Sequence, residues 1–315
     1  MGKKFAQNII AESRKTLPIS IAYGIGIWLL AGLVQNLWWI QFACFLASVL
    51  AMVHLNNINL LIRIYSRSVS VFFLLLSCSA VWLFPSINGA ITQLASVLLL
   101  MILFSCYQDS ESTGKTFYVF MIIGAISLLE PHFLLFVPIV WLLMMTTIYS
   151  IGFKTFMASL IGLIAPYWLY LGWLLYQHSD TPSMVLETFD RFGDIQLVAD
   201  YHALTLSQIS YFVLLLVLFL TGAIHFWMTS YLDKIRVRQI YVSMILLTLY
   251  TILMLALQPQ MFDTLIYMMT IPVSTITAHF FSLTRSRITN IFFFVVMAVI
   301  LLITGMNLWI SLSIS

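Results

Sequence analysis

Charge is scarce in this chain. Asp, Glu, Lys and Arg make up 8% of its 315 residues, whereas a soluble domain carries about 25%. A water-solvated surface is therefore excluded for most of the molecule. Cysteine is also rare: Cys44, Cys78 and Cys106 are the only three, and none forms a CxxC pair. Neither a disulfide framework nor a zinc site is indicated, and no cofactor is implied. No Asp, Glu, Lys or Arg falls near the middle of an apolar run. Ion-coupled pumps and transporters usually need such a group, so this absence counts against them. No internal repeat is visible, which weakens an inverted-repeat transporter reading. The net charge of +3 is spread over separate short segments and forms no nucleic-acid footprint.

What the chain does have is apolar length. It is 62% hydrophobic with mean hydropathy +1.04. Most of it is runs near the roughly 20 residues that a helix needs to cross about 30 Å of hydrocarbon. The runs are continuously apolar, without the alternation of an outer-membrane barrel. In lipid every backbone group must be bonded internally, which leaves helices. The predicted fold is all-α: a polytopic transmembrane bundle of about eleven spans, over 17–34, 37–55, 69–85, 88–107, 116–129, 133–150, 156–176, 211–229, 240–257, 264–282 and 290–310.

Lys and Arg fix the orientation. Thirteen of the fourteen fall in alternate gaps: Lys3, Lys4, Arg14 and Lys15; Arg63 and Arg67; Lys115; Lys154; Lys234, Arg236 and Arg238; Arg285 and Arg287. Only Arg191 falls in the other gaps, beside Glu130, Asp180, Glu187, Asp190, Asp194, Asp200 and Asp263. Short loops rich in Lys and Arg stay cytoplasmic, so the N-terminus is expected inside and the C-terminus outside a bacterial inner membrane. A miscounted span would destroy the split, so the count checks itself.

Residues 1–16 form a basic cytoplasmic segment, and 17–315 a single transmembrane domain. The run from Leu17 is too long for a signal-peptide h-region and no A-x-A site follows, so it reads as an uncleaved first span. Residues 1–16 also fit a short amphipathic helix on the inner leaflet, with Phe5, Ile9 and Ile10 towards lipid; a plain basic tail fits as well. Most of the nine Trp residues sit towards span ends, as interfacial belts do. The one sizeable loop, 177–210, lies outside. Its stretch near 183–199 spaces Met184, Leu186, Phe189, Phe192 and Ile195 for an interfacial helix beside Glu187, Asp190, Arg191 and Asp194. Pro138, Pro166 and Pro272 lie within spans and can kink them. Ala158 and Gly162, four apart, suit close helix packing.

The sharpest local feature is Glu130-Pro131-His132. The run before it, 116–129, has only fourteen residues and reaches roughly 21 Å at about 1.5 Å per residue. If Glu130 and His132 sit below the surface, a carboxyl beside an imidazole can do acid/base work. If they form a hairpin turn, they simply meet headgroups. Arg191, the one outer cation, is a candidate phosphate ligand, with Asp190 and Asp194 beside it as ligand-binding candidates. The six histidines do not suit a metal. His54, His225 and His279 fall near cytoplasmic span ends and His132, His178 and His202 outside, so no four share a coordination sphere. The pairs Arg63/Arg67, Arg236/Arg238 and Arg285/Arg287 could meet anionic headgroups, although the positive-inside rule explains them without a function. Asn56, Asn57 and Asn59 beside His54 suit capping at a span end.

The turn Leu128-Leu129-Glu130-Pro131-His132 and the segment Gly162-Leu163-Ile164-Ala165-Pro166-Tyr167 resemble a Bacteroidota family of polytopic inner-membrane proteins, some of whose members carry a carotene-oxygenase label. The scattered histidines do not supply the iron site that such a label implies. The general layout also resembles membrane glycosyltransferases and glycan polymerases using polyprenyl-linked donors. However, the first outer loop, Gln35-Asn36-Leu37-Trp38, lacks the carboxylate that many of those keep. Three functional classes are open: a non-catalytic component of a cell-envelope biogenesis or export assembly, a membrane enzyme or flippase acting on polyprenyl-linked glycans, and a small-molecule transporter. The expected partners are membrane lipid, and either a protein docking at the outer loop or a polyprenyl-linked glycan.

Overall fold

A computed structural model describes residues 5–176, 201 and 204–314, the last by its backbone. Among them every regular element is helical: α1 (Ala6–Glu12), α2 (Thr16–Leu30), α3 (Trp39–Asn59), α4 (Ser68–Ser79), α5 (Ile87–Ser105), α6 (Thr113–Leu129), α7 (Phe136–Thr146), α8 (Phe153–Tyr176), α9 (Leu206–Thr229), α10 (Ile235–Leu257), α11 (Phe262–Leu283) and α12 (Arg287–Ile314), with short 3-10 turns between some of them. Each of the eleven expected apolar runs is built on a helix. Seven helices are long and apolar enough to cross a membrane, the makeup of a multi-pass membrane protein, and α2, α4, α6 and α7 are shorter. The helix expected near 183–199 lies outside the described residues.

The chain divides into two compact units. The first comprises Met1–Leu94, His202–Thr251 and Asp263–Ser315, and the second Ala95–Tyr201 and Ile252–Phe262. In the first, the core is built on α4 and α11. All twelve residues of α4 are buried, and 89% of the apolar window of α11 is buried. Helices α2, α3 and α12 pack around α4. The sequence places a continuous span at 69–85, but α4 stops at Ser79, where Ala80 turns to ψ 59°. The chain then passes through a single 3-10 turn, Val81–Leu83, to Pro85. At about 1.5 Å per residue, α4 reaches only roughly 18 Å.

The break is tolerated because neighbouring helices supply donors to the freed carbonyls. Tyr211 Oη donates to Leu76 O (2.9 Å) and Asn307 Nδ2 to Ser79 O (2.7 Å). Tyr267 Oη donates to Leu83 O (2.9 Å) and Gln41 Nε2 to Pro85 O (3.1 Å). Irregular backbone survives in an apolar bundle only where protein groups meet it. Trp28 is 3% exposed and stacks on Phe84 at 3.9 Å, beside the break.

In the second unit α6 and α8 form the tightest helix pair. A Cβ on Gly162 would overlap the carbonyl of Phe117, and one on Gly124 the carbonyl of Leu163. Small residues at such crossings let backbones approach closely, which is the role that the sequence assigned to Gly162. Ser127 and Tyr167 hydroxyls, 2.6 Å apart, and Trp141 Nε1 donating to Ser159 Oγ (3.0 Å) add polar ties. Pro166 lies inside α8 without ending it.

Candidate functional sites

Two polar sites emerge, one in each unit. Glu130 and His132, singled out by sequence, lie in the second unit. Helix α6 begins at Thr113, earlier than the expected 116, and its seventeen residues reach roughly 25 Å at about 1.5 Å each. Glu130 caps that helix with its N–H on Ile126 O. Pro131 opens a 3-10 turn, Pro131–Leu135, that leads into α7. Pro suits this first position because its missing N–H would have had no helical partner. Glu130, Pro131 and His132 are all half-buried. Burial pushes the Glu130 carboxyl above the ordinary carboxylate range, because a low-dielectric setting disfavours the charged form. The turn thus holds a partly desolvated acid two residues from an imidazole. Arg191, Asp190 and Asp194 lie outside the described residues.

The second site lies in the first unit and was not foreseen from the sequence. Asp233 follows the 3-10 turn Ser230–Leu232 after α9, and its side chain is wholly buried. Arg63, from the segment joining α3 to α4, places Nε 2.8 Å from Asp233 Oδ1. Oδ1 receives no aligned N–H, so the contact is an ion pair rather than a directed hydrogen bond. His279 of α11 places Nε2 3.2 Å from Oδ2. The carboxylate oxygen accepts, so the proton is assigned to Nε2, and Nδ1 of the ring is buried without a partner. Tyr241 lies edge-on to that ring with centroids 4.7 Å apart and donates its hydroxyl to Leu61 O (3.2 Å). His225 of α9 stands 5.9 Å from His279, ring to ring.

The surroundings extend the network. Arg236 Nη2 donates to Asn59 Oδ1 (3.0 Å), and Asn59 Nδ2 to Leu55 O (3.0 Å). Asn56 Nδ2 donates to Ser66 O (2.9 Å), and Leu60 closes α3 in the left-handed region at φ 49°. Asn59 and Asn56 therefore tie the end of α3, one to its own last turn and the other to the segment before α4. Two of the three histidines that the sequence scatters along the basic side are brought together, whereas His54 is exposed. Among the described residues no group of three or more His, Cys, Asp or Glu could hold a metal ion.

Asp233 joins three segments of the first unit: the connection from α3 to α4 through Arg63, its own connection from α9 to α10, and α11 through His279. Desolvating an Asp is costly unless it is paired, so the carboxylate specifies which segments must meet. The signal for it lay in the sequence: Asp233 is an acid in a segment otherwise basic through Lys234, Arg236 and Arg238. Charge of the minority sign among short basic segments points to pairing rather than to orientation.

No protein-family model matches the chain, and neither any curated protein nor any solved structure matches it.

Proposed function

We propose that the protein is a non-catalytic integral component of a cell-envelope biogenesis or export assembly in the bacterial inner membrane, and that α8 offers its lateral docking face to a partner transmembrane helix. The observation that carries this reading is the low burial of α8: 22% of its apolar window, the least of the seven long apolar helices. Its outward side is shaped as well as exposed. A groove of about 500 Å³ runs beside Phe117, Ile161, Trp168 and Leu169, and Gly172 opens onto free space. Small residues next to large ones let a second helix approach closely in lipid, where apolar area alone does not drive association. The acidic loop at 177–210, with Asp190, Arg191 and Asp194, is a second docking candidate on the outer side.

The test is extraction of the full chain from its native membrane into nanodiscs without detergent. A photoreactive residue at Trp168 is expected to crosslink one protein, and Ala165→Trp to abolish the crosslink while the protein remains folded. Extraction as a lone chain with no protein adduct would overturn the reading.

A second reading rests on the raised Glu130 carboxyl. In this reading the protein is a membrane enzyme or flippase for polyprenyl-linked glycans. Glu130 and His132 exchange the proton, Arg191 meets a phosphate, and Asp190 and Asp194 meet the glycan. Loss of an envelope function in Glu130→Gln, with folding intact, supports this reading; an unchanged envelope counts against it.

A further inference from the structure

The first unit contains an apolar cavity of about 540 Å³, within the roughly 300–1,000 Å³ of small-molecule sites. Its floor includes Val71 and Phe72 of α4, its sides Tyr23 of α2 and Met297 of α12, and its cover Ile9 and Ile10 of α1. The lining on α12 runs from Phe293 to Leu301, eight helical steps or roughly 12 Å. The space is lined mostly by apolar side chains.

The cover is fastened. Sequence places Ile9 and Ile10 towards lipid, and both are exposed, but the other face of α1 is pinned to the protein. Gln7 Nε2 donates to Thr284 O (2.7 Å) and to Thr289 Oγ1 (3.1 Å), and Asn8 Nδ2 to Thr284 O (2.9 Å). Gln7 N donates to Asn290 Oδ1 (3.1 Å). Gln7 and Asn8 are 1% and 2% exposed, so their amides fasten α1 to the protein.

Cations gather at that end. Arg67, next to the lining residue Ser68, donates from Nε to Tyr65 Oη (3.2 Å). Arg14, next to the lining residue Ser13, places its guanidinium 5.9 Å from the centre of the same Tyr65 ring. Two guanidiniums thus contact one tyrosine, Arg67 at its hydroxyl and Arg14 over its ring. Lys15 is exposed beside them, and Glu12 is the nearest acid in sequence.

From this juxtaposition we infer that the cavity binds one anionic phospholipid, with an acyl chain along α4 and α12 and its phosphate between Arg14 and Arg67. Guanidinium forks match phosphate geometry, and basic side chains at the membrane surface favour anionic headgroups. The occupant is committed by charge complementarity: an apolar slot alone would accept any acyl chain, whereas the paired arginines select the headgroup. The site is distinct from the α8 face and from Glu130, and its failure leaves both readings above untouched.

The test is native mass spectrometry of the full chain reconstituted with equal parts of phosphatidylglycerol and phosphatidylcholine of the same acyl composition. One retained phosphatidylglycerol is expected, preferred by roughly tenfold or more, the scale of two cationic groups near an anionic headgroup. R14Q/R67Q should bring the two lipids to parity without abolishing retention, and Met297→Trp should reduce retention of both. Should Met297→Trp misfold, a phosphatidylglycerol with a photoreactive acyl chain replaces it: labelling concentrated at 68–75 and 293–301, competed by phosphatidylglycerol and not by phosphatidylcholine, is the expected result. Equal retention of the two lipids by the unaltered chain, an unchanged preference in R14Q/R67Q, or labelling spread evenly over all lipid-facing helices would each overturn the assignment.

Discussion

Arg63 and Asp233 stand 2.8 Å apart at unequal depth: the carboxylate is wholly buried, while the arginine side chain is one-third exposed. The inequality decides which partner can be removed more cheaply. Losing Arg63 leaves the desolvated carboxylate with only the His279 N–H at Oδ2, and breaking a buried pair in this way costs about 3–5 kcal/mol. Arg63→Gln is expected near the lower end of that range, because water already reaches the guanidinium. Asp233→Asn removes the charge itself and should cost less. The double variant should recover part of the loss of Arg63→Gln. Thermal unfolding of all three in one detergent, read as a double-mutant cycle, checks this; strict additivity would show that the pair does not interact.

The crossing of α6 and α8 makes a sharper prediction because two glycines of α8 differ in surroundings. At Gly162 a side chain meets the Phe117 carbonyl, and at Gly172 it meets nothing. Gly162→Leu should therefore cost at least the roughly 1–3 kcal/mol typical of overpacking, since backbone cannot yield as a side chain can. Gly172→Ala should be neutral or stabilising by up to about 1 kcal/mol, the helix preference for Ala over Gly. Denaturation in mixed micelles distinguishes them. If α8 docks a partner through that face, Gly172→Ala weakens association while leaving the isolated chain as stable as before.

Each apolar run became a helix because lipid-scale hydropathy and internal backbone bonding leave no alternative, so the helix inventory was legible in sequence. Boundaries were less so. Helix α9 begins at Leu206 rather than 211, because Thr205 and Gln208 cap it reciprocally; the signal was present but lies in a polar stretch that hydropathy ignores. The break after Ser79 was invisible, since it depends on Tyr211, Tyr267, Asn307 and Gln41 arriving from four distant segments. The Asp233 cluster was missed for the same reason: its members come from residues 63, 225, 233 and 279, and pattern along one segment cannot pair them. Glu130 stood out as a local feature because its helix, turn and proline are contiguous.

The broken α4 depends on donors brought by neighbouring helices. Tyr211→Phe keeps the ring and removes the hydroxyl that meets Leu76 O, leaving that carbonyl with the Ser79 hydroxyl (2.8 Å). Losing one hydrogen bond of this kind costs about 0.5–1.5 kcal/mol. Asn307→Leu removes the donor to Ser79 O and should cost more, about 1–3 kcal/mol, because it leaves a buried acceptor unsatisfied. Trp28→Phe, which changes the stack on Phe84 but no carbonyl partner, is the comparison for lost volume. Hydrogen exchange offers an independent readout: the amides of 80–86 should lose protection in Tyr211→Phe and Asn307→Leu before those of α11 do. Uniform loss across the first unit would mean that the break is no weaker than the rest.

Glu130 supplies a pH dependence whose sign follows from its raised carboxyl. The folded state holds the proton more tightly than the unfolded chain, so in the interval between the two pKa values the folded form binds more protons. Stability then falls as pH rises through that interval and levels off above the folded value. The penalty is the cost of ionising a half-buried acid, and it is absent at low pH. Glu130→Gln removes the titration, so the variant should match the parent at pH values below the unfolded carboxyl's and exceed it at neutral pH. Unfolding midpoints of both across that range test this, with the difference between them as the observable. A difference that stays constant with pH would place Glu130 in water, and would also remove the desolvated acid on which the catalytic reading depends. A difference that opens as predicted, with an envelope function lost in the same variant, would mean that a carboxyl costly to the fold is kept for its chemistry.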